Sequence, residues 1–155
     1  MTPMTPLDQP GAVGSPTTVI YARDLSTPAI LDGIRSGRVF IDLTGSHDRM
    51  LDLRAQAQGL EAVMGDVLAA PSGTEIAIDA SVDACVDATV SLVLDGAASP
   101  ALPAQAVTKT DQLFRWKWRT DGKRHWLLAE VRDASGQLLL LGNPVYINWP
   151  ANLPG

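Results

Sequence analysis

Alternation of apolar and polar residues runs through much of the chain and constrains its fold more than any other feature. Between Thr74 and Val82 apolar residues recur at every second position, and the stretches 50–57 and 114–119 repeat the pattern. A period of two predicts β-strands with one face in a core and one face in water. Turn residues such as Asp95-Gly96 recur roughly every eight to twelve residues, a spacing typical of antiparallel sandwiches.

These signals predict a mainly β protein, an immunoglobulin-like antiparallel β-sandwich, over residues 46–149. The Cys…Trp…Cys signature of true immunoglobulin domains is absent, because Cys85 is the single cysteine. The stretches 105–110 and 112–119 are predicted to form a hairpin around Asp111. The ends, 1–16 and 150–155, read as a flexible leader and a tail.

A different pattern precedes the sandwich, over residues 17–45. Thr17 to Ala22 is β-branched and predicts a strand, and Asp24 or Ser26 offers a helix N-cap ahead of Pro28. A second strand follows at 39–41. An apolar helix face is formed by Ile30, Leu31 and Ile34. The sequence thus predicts a short strand–helix–strand unit in front of the sandwich.

Charge and composition exclude several classes of partner. The formal charge is −5, so attraction to nucleic acid or to an anionic membrane is not expected. No apolar run approaches the length of about 20 residues that a membrane span needs. Cys85 is predicted to be a small core residue, and cysteine usage leaves the cellular compartment open.

No pattern of catalytic or metal-ligating residues stands out. The two histidines, His47 and His125, are far apart, and no HxH, HExxH or CxxC motif occurs. Ser46-His47-Asp48 puts three triad-type residues in a row, but neighbours in sequence do not normally converge as a triad. We therefore predict no catalytic residue, no metal and no cofactor for this chain, and expect that by itself it is not an enzyme.

Aromatic rings and cations alternate from Phe114 to Arg119, which puts the rings on one strand face and the charges on the other. One interpretation is that the rings enter the core. The other is a ligand-binding surface for a carbohydrate or another planar ligand, formed by Trp116, Trp118 and Trp126.

The segments 14–22, 25–26 and 29–40 resemble the closing segment of PHP-type metal-dependent phosphoesterases of the CehA/McbA-like branch. Gly45 to Leu53 and Asn143 to Ile147 resemble the start and the last strand of that family's β-sandwich tail. The resemblance implies that residues 17–45 are the remnant of a PHP-like catalytic barrel. The Asp and His of the family's metal-binding Gly-Ser-Asp-x-His motif have no counterpart, so no catalytic role carries over.

Three hypotheses follow. The first is a non-catalytic C-terminal accessory module of a PHP-like phosphoesterase, with Ile30, Leu31 and Ile34 contacting the missing barrel or a second copy. The second is the ligand-binding module built on the three tryptophans. The third, an independent hydrolase working through His47, Asp48 and a distant carboxylate, has no supporting group of residues in the sequence.

Overall fold

The protein is described by a computed structural model that covers residues 16–150, and its strands form two sheets. It contains one helix and twelve strands: β1 (Thr17–Ile20), α1 (Thr27–Arg35), β2 (Val39–Asp42), β3 (Met50–Ala57), β4 (Leu60–Val63), β5 (Val67–Leu68), β6 (Glu75–Asp83), β7 (Thr89–Leu94), β8 (Gln105–Ala106), β9 (Asp111–Arg119), β10 (His125–Arg132), β11 (Leu138–Gly142) and β12 (Val145–Ile147). The predicted leader and tail lie almost wholly outside the described residues.

Strand β10 is the centre of the eight-stranded sheet, which we call the large sheet. It pairs with β7 over 127–132, with β11 over 130–132 and with β12 over 125–127. Because a strand has two edges, β11 and β12 share one edge of β10 and β7 takes the other. The sheet continues from β11 to β2 and β1, from β12 to β5 and from β7 to β8.

The small sheet has four strands in the order β4-β3-β6-β9, and all its pairs are antiparallel. Strands β6 and β9 pair along their full length, from Glu75↔Arg119 to Asp83↔Asp111. Gln58 and Gly59 both have positive φ in the tight turn between β3 and β4, as primed hairpin turns require.

The core lies between the inner faces of the two sheets. Buried residues alternate with less buried ones along β3, β6, β9 and β10, as the sequence alternation predicts. The largest fully buried side chains include Phe40, Leu51, Leu53, Met64, Ile76, Ile78, Leu127 and Leu140. The predicted mainly β sandwich is therefore confirmed.

The strand–helix–strand unit joins the sandwich through backbone pairing. Strands β1 and β2 are antiparallel, so α1 occupies the connection of a hairpin, and β2 pairs with β11. Ser26 caps the helix by accepting a hydrogen bond from the Ala29 N–H. Phe40 belongs to the core between the two sheets. Residues 17–45 therefore extend the large sheet and share the core of residues 46–149.

Two glycines allow close approach of the backbone around α1, Gly33 within the helical unit and Gly65 between that unit and the sandwich. A Cβ on Gly33 would lie 2.6 Å from the Tyr21 carbonyl oxygen, and a Cβ on Gly65 would lie 1.8 Å from the Ser36 carbonyl oxygen. Asn143 adds a side-chain hydrogen bond to the Gly37 carbonyl. A side chain at Gly33 or Gly65 would therefore clash with the neighbouring backbone and displace α1.

The predicted hairpin around Asp111 is wrong. Asp111 begins the long strand β9, which pairs with β6 in the small sheet, whereas residues 105–106 pair with β7 in the large sheet. Val107 is buried in the core, which holds this segment between the sheets. Alternation alone could not reveal that the two stretches belong to different sheets.

Candidate functional site

Trp116 and Trp118 point from β9 toward the interior, while the neighbouring cations face solvent. Trp116 is 5% exposed, and its indole N–H donates to the Pro103 carbonyl at 2.7 Å. Trp118 is half-buried and packs against the core. These two rings therefore follow the interpretation in which the aromatics of β9 serve the sandwich.

Trp126 lies on the other sheet and faces outward, because its neighbour Leu127 is fully buried. Its cross-strand partner is Tyr146, whose ring meets the ring of Trp149 edge-on at 6.2 Å between centroids. Trp116, Trp118 and Trp126 do not line one surface, because the first two point inward and the third points outward. Of the three, Trp126 alone remains in an outward-facing aromatic group.

His125 bridges two carboxylates at the edge between the sheets. Its Nδ1 lies 2.5 Å from Asp95 Oδ2 and its Nε2 lies 2.7 Å from Asp121 Oδ1. Trp118 meets the imidazole edge-on, 5.0 Å between centroids. When both ring nitrogens carry protons, each donates to one carboxylate, so the arrangement suits the imidazolium form.

The protonation of this cluster follows from its contacts. Burial by itself lowers the pKa of His125, but hydrogen bonds and attraction from Asp95 and Asp121 outweigh it and leave the pKa raised above 6.5. The hydrogen bond from His125 lowers the pKa of Asp121. The side chain of His125 thus ties the turn at Asp95 to the loop at Asp121.

The consecutive residues Ser46, His47 and Asp48 do not form a catalytic triad. His47 has positive φ and is exposed, as is Asp48. Ser46 instead donates to Asp42, both through its backbone N–H at 2.9 Å and through its hydroxyl at 2.6 Å. The row therefore belongs to a tight loop and contains no nucleophile–base pair.

Asp42 is a buried carboxylate that the sequence pattern did not reveal. It is 1% exposed and also accepts hydrogen bonds from the backbone N–H and the hydroxyl of Thr44. Burial by itself raises the pKa of Asp42. The hydrogen bonds from Ser46 and Thr44 together have the larger effect, so the pKa is lowered overall. Asp42 thus organises the loop that leads from β2 into the small sheet.

Cys85 is buried, as predicted. Burial is the main cause that raises the pKa of its thiol to about 11, so the thiolate form is disfavoured near neutral pH.

The helix α1 presents an apolar surface to solvent. Leu31 is 41% exposed and Ile34 is 49% exposed, and Leu25 just before the helix is 95% exposed. Ile30, the third residue of the predicted apolar face, is half-buried. The side of α1 that faces its own hairpin contains the small residues Ala29 and Gly33. We call the exposed surface of Leu25, Leu31 and Ile34 the helix patch.

Comparisons with known proteins add no relative: no protein-family model matches the chain, and no curated protein shows significant similarity to it. Within residues 16–150, no three His, Cys, Asp or Glu side chains are grouped so that they could hold a metal ion. In the same residues, α1 is the one helix and it is too short to cross a bilayer.

Proposed function

We propose that this chain acts as a non-catalytic accessory module of a PHP-type metal-dependent phosphoesterase, in the manner of the C-terminal tail that its sequence resembles. The observation that carries the proposal is the helix patch: two large apolar side chains of α1, Leu31 and Ile34, are exposed, as is Leu25 just before the helix. Exposed apolar patches of this kind mark contacts with another protein surface.

The contacts that hold α1 against the rest of the protein support a docking role. Gly33 lets the helix pack against Tyr21 and Ile20 at the end of β1. The close approach of Ser36 to Gly65 and the Asn143 hydrogen bond to Gly37 hold its C-terminal end against the sandwich. A partner that binds the patch therefore meets a surface whose position is set by the sandwich, at little cost in ordering. In the proposal, that partner is the catalytic barrel.

The first experiment separates a module from a catalyst. We expect purified chain to hold less than stoichiometric zinc, iron or manganese after metal loading and desalting, and to hydrolyse bis(4-nitrophenyl) phosphate no faster than buffer. One tightly held metal ion per chain together with turnover would overturn the proposal. Sequencing the coding DNA upstream of Met1 supplies a second readout, because an in-frame Gly-Ser-Asp-x-His would identify the catalytic body.

The second experiment tests the docking surface on any such catalytic body, produced as a separate chain. The variant Leu31→Asp/Ile34→Asp is expected to weaken co-purification at least tenfold. Leu60→Asp is a matched control, because Leu60 is 53% exposed on the small sheet. Equal loss in both variants, or retention in the first, would contradict docking through the helix patch.

A second candidate function, binding of a planar ligand such as a carbohydrate, is supported by the outward position of Trp126 beside Tyr146. Iodide should then quench part of the tryptophan emission, and oligosaccharide titration should protect that part. Trp126→Ala should abolish the protection. Emission that resists iodide entirely would remove this candidate.

A further inference from the structure

His125 holds two loops together at the edge between the sheets. Asp95 lies in the turn after β7 of the large sheet, and Asp121 lies in the connection from β9 of the small sheet to β10 of the large sheet. The Nδ1 atom of His125 contacts Asp95 Oδ2, and its Nε2 atom contacts Asp121 Oδ1. We call these three residues the histidine bridge. The imidazole is largely buried, but both carboxylates are about half-exposed, so water can exchange protons with the bridge.

Each contact of the histidine bridge needs a proton on the ring. An ionised carboxylate only accepts hydrogen bonds, whereas a neutral imidazole has one N–H donor and one bare nitrogen. Removing one proton from the imidazolium therefore leaves a nitrogen lone pair that faces a carboxylate oxygen, at 2.5 or 2.7 Å. Two acceptors at such a distance repel each other, so neutral His125 keeps only one of its two partners.

The contacts of the two carboxylates differ, and this decides which partner is kept. Asp95 is also bound to β10, because its backbone N–H donates to the Trp126 carbonyl at 2.9 Å and its Oδ1 accepts from the Trp126 N–H at 2.9 Å. These bonds hold Oδ2 beside the Nδ1 atom of His125 whatever the charge of the ring. The other contact of the Asp121 carboxylate is local, with the backbone N–H of Lys123. Asp121 can therefore turn away from the ring without breaking a sheet hydrogen bond.

We propose that the histidine bridge is a one-proton switch: the imidazolium holds Asp95 and Asp121 together, and the neutral Nδ1–H form keeps Asp95 and releases Asp121. The proton leaves Nε2 for water, and no other covalent bond changes. The backbone at Thr120 stays in place, because its N–H donates to the Thr74 carbonyl at 3.0 Å. Opening therefore loosens residues 121–123 without separating the sheets. The switch does not depend on the proposed function.

Within residues 16–150, the elements packed against His125 add no further charge to the ring. Its cross-strand partner on β12 is Ile147, and from β9 the indole of Trp118 meets the imidazole edge-on. Burial by itself lowers the pKa of His125, and Asp95 and Asp121 raise it by more, so the pKa lies above 6.5. The bridge is accordingly closed in mildly acidic solution and opens as pH rises through that pKa.

The two cations that precede His125 in the chain favour this direction of opening. The pKa of Asp121 is lowered chiefly by the hydrogen bond from His125, and further by the backbone N–H and the charge of Lys123. Arg124 lies over the ring of Trp149 at 5.4 Å. When the ring becomes neutral, Asp121 therefore still has Lys123 as a partner.

Nitrogen-15 NMR of the imidazole tests the proposal in the wild-type chain. The chain has two histidines, so His47→Gln assigns the signals of His125. Below the midpoint of the titration we expect both ring nitrogens to carry protons. Above it we expect Nδ1 to keep its proton and Nε2 to lose it, because the remaining hydrogen bond to Asp95 sets the tautomer. A neutral ring with its proton on Nε2 would contradict the proposal.

Backbone amide relaxation of the same sample measures the opening. The order parameters of the Asp121 and Lys123 amides should fall from about 0.85 to below about 0.6 as pH rises through the midpoint. The Thr120 amide should stay near ~0.85, because its hydrogen bond to Thr74 does not involve the bridge. Unchanged order parameters at 121 and 123 would overturn the proposal, since neutral His125 would then not release the loop.

Substitutions separate the two carboxylates. Asp121→Asn should lower the titration midpoint of His125 by about one pH unit and keep the Nδ1–H form above it. Asp95→Asn should also lower the midpoint but lose the preference for Nδ1–H. Asp48→Asn is the matched control, because Asp48 is exposed and lies outside the bridge, and it should leave the midpoint unchanged.

A midpoint that neither Asp121→Asn nor Asp95→Asn moves would overturn the proposal. So would loss of the Nδ1–H form in Asp121→Asn with retention in Asp95→Asn, because the partners would then be exchanged. Circular dichroism checks the folding of each variant. If a variant does not fold, the tautomer and the order parameters of the wild type still decide the question.

Discussion

The two sheets share one core but differ in what they present to solvent. Each sheet contributes an inner row of buried apolar side chains. The outer face of the small sheet has ion pairs such as Arg54–Glu61 and Arg115–Asp79. The outer face of the large sheet has a larger share of apolar side chains, such as Leu128, Val93 and Leu141, beside polar residues such as Glu130 and Ser91. The difference shows that the inner faces build the fold, while the outer faces decide which surface is available for contacts.

The largest expected effect tests whether the inner faces are equivalent. Leu53 in the small sheet and Leu127 in the large sheet are both fully buried. Replacing either by Ala should lower the free energy of unfolding by about 2–5 kcal/mol, because each leaves a cavity in the same core. Urea unfolding measures both. A cost below about 1 kcal/mol at one site alone would mean that its sheet does not share the core.

The next effect concerns the connection between the sheets. Gly65→Ala should cost about 2–4 kcal/mol, because φ is +90° and the new Cβ would lie 1.8 Å from the Ser36 carbonyl oxygen. Gly59→Ala, within the small sheet, is the control: φ is +79° but no heavy atom lies within 4 Å. It should cost about 1–2 kcal/mol from backbone strain alone. Equal costs would contradict the seating of α1 against Gly65.

A smaller, pH-dependent effect is expected where the sheets meet at His125 and Trp118. Because the folded pKa of His125 is raised above 6.5, its contribution to stability is fully present below pH 6.5 and is lost as pH rises through the folded pKa. The difference in unfolding free energy between wild type and His125→Gln should therefore shrink as the pH rises from 6.5 through the folded pKa. A difference that stays constant over this range would show that the imidazolium is not what Asp95 and Asp121 stabilise.

The smallest effect belongs to the charged outer face. Arg54 is ion-paired with Glu61 at 2.9 Å, but both side chains are more than 40% exposed. Arg54→Ala should cost about 0.2–1 kcal/mol, and added salt should remove most of that difference. Unfolding at 50 mM and 1 M NaCl checks this. A cost that salt leaves unchanged would show that packing of the arginine stem, not charge, is what the variant loses.

The sequence predicted those parts of the fold that depend on neighbours along the chain. Alternation gave strands β3, β6 and β9, and Ser26 with Pro28 gave the start of α1. It also predicted that Leu31 and Ile34 lie together on the helix surface. Their exposure could not be predicted, because it depends on Ala29 and Gly33, and not the larger residues, facing the hairpin.

The candidate sites depended on contacts between distant residues. Trp116, Trp118 and Trp126 have similar local sequences, yet two face the core and one faces out, since that choice follows from which residues of β9 and β10 meet the other sheet. Asp95 and Asp121 are turn residues by pattern, and only the pairing of β7 with β10 brings Asp95 to His125. The burial of Asp42 could not be predicted from its position at a strand end, because it depends on the hydrogen bond from Ser46.

By itself, then, the sequence determined the β class, the strand periods, the helix cap and the net acidity, because these follow from side-chain type and spacing. The tertiary structure decided that residues 105–106 leave β9 for the other sheet and that α1 is seated on Gly65. It also decided which outer positions of β2, β7, β10 and β11 become cross-strand neighbours. The physical reason is that sheet pairing joins residues tens of positions apart, and no local pattern specifies that choice.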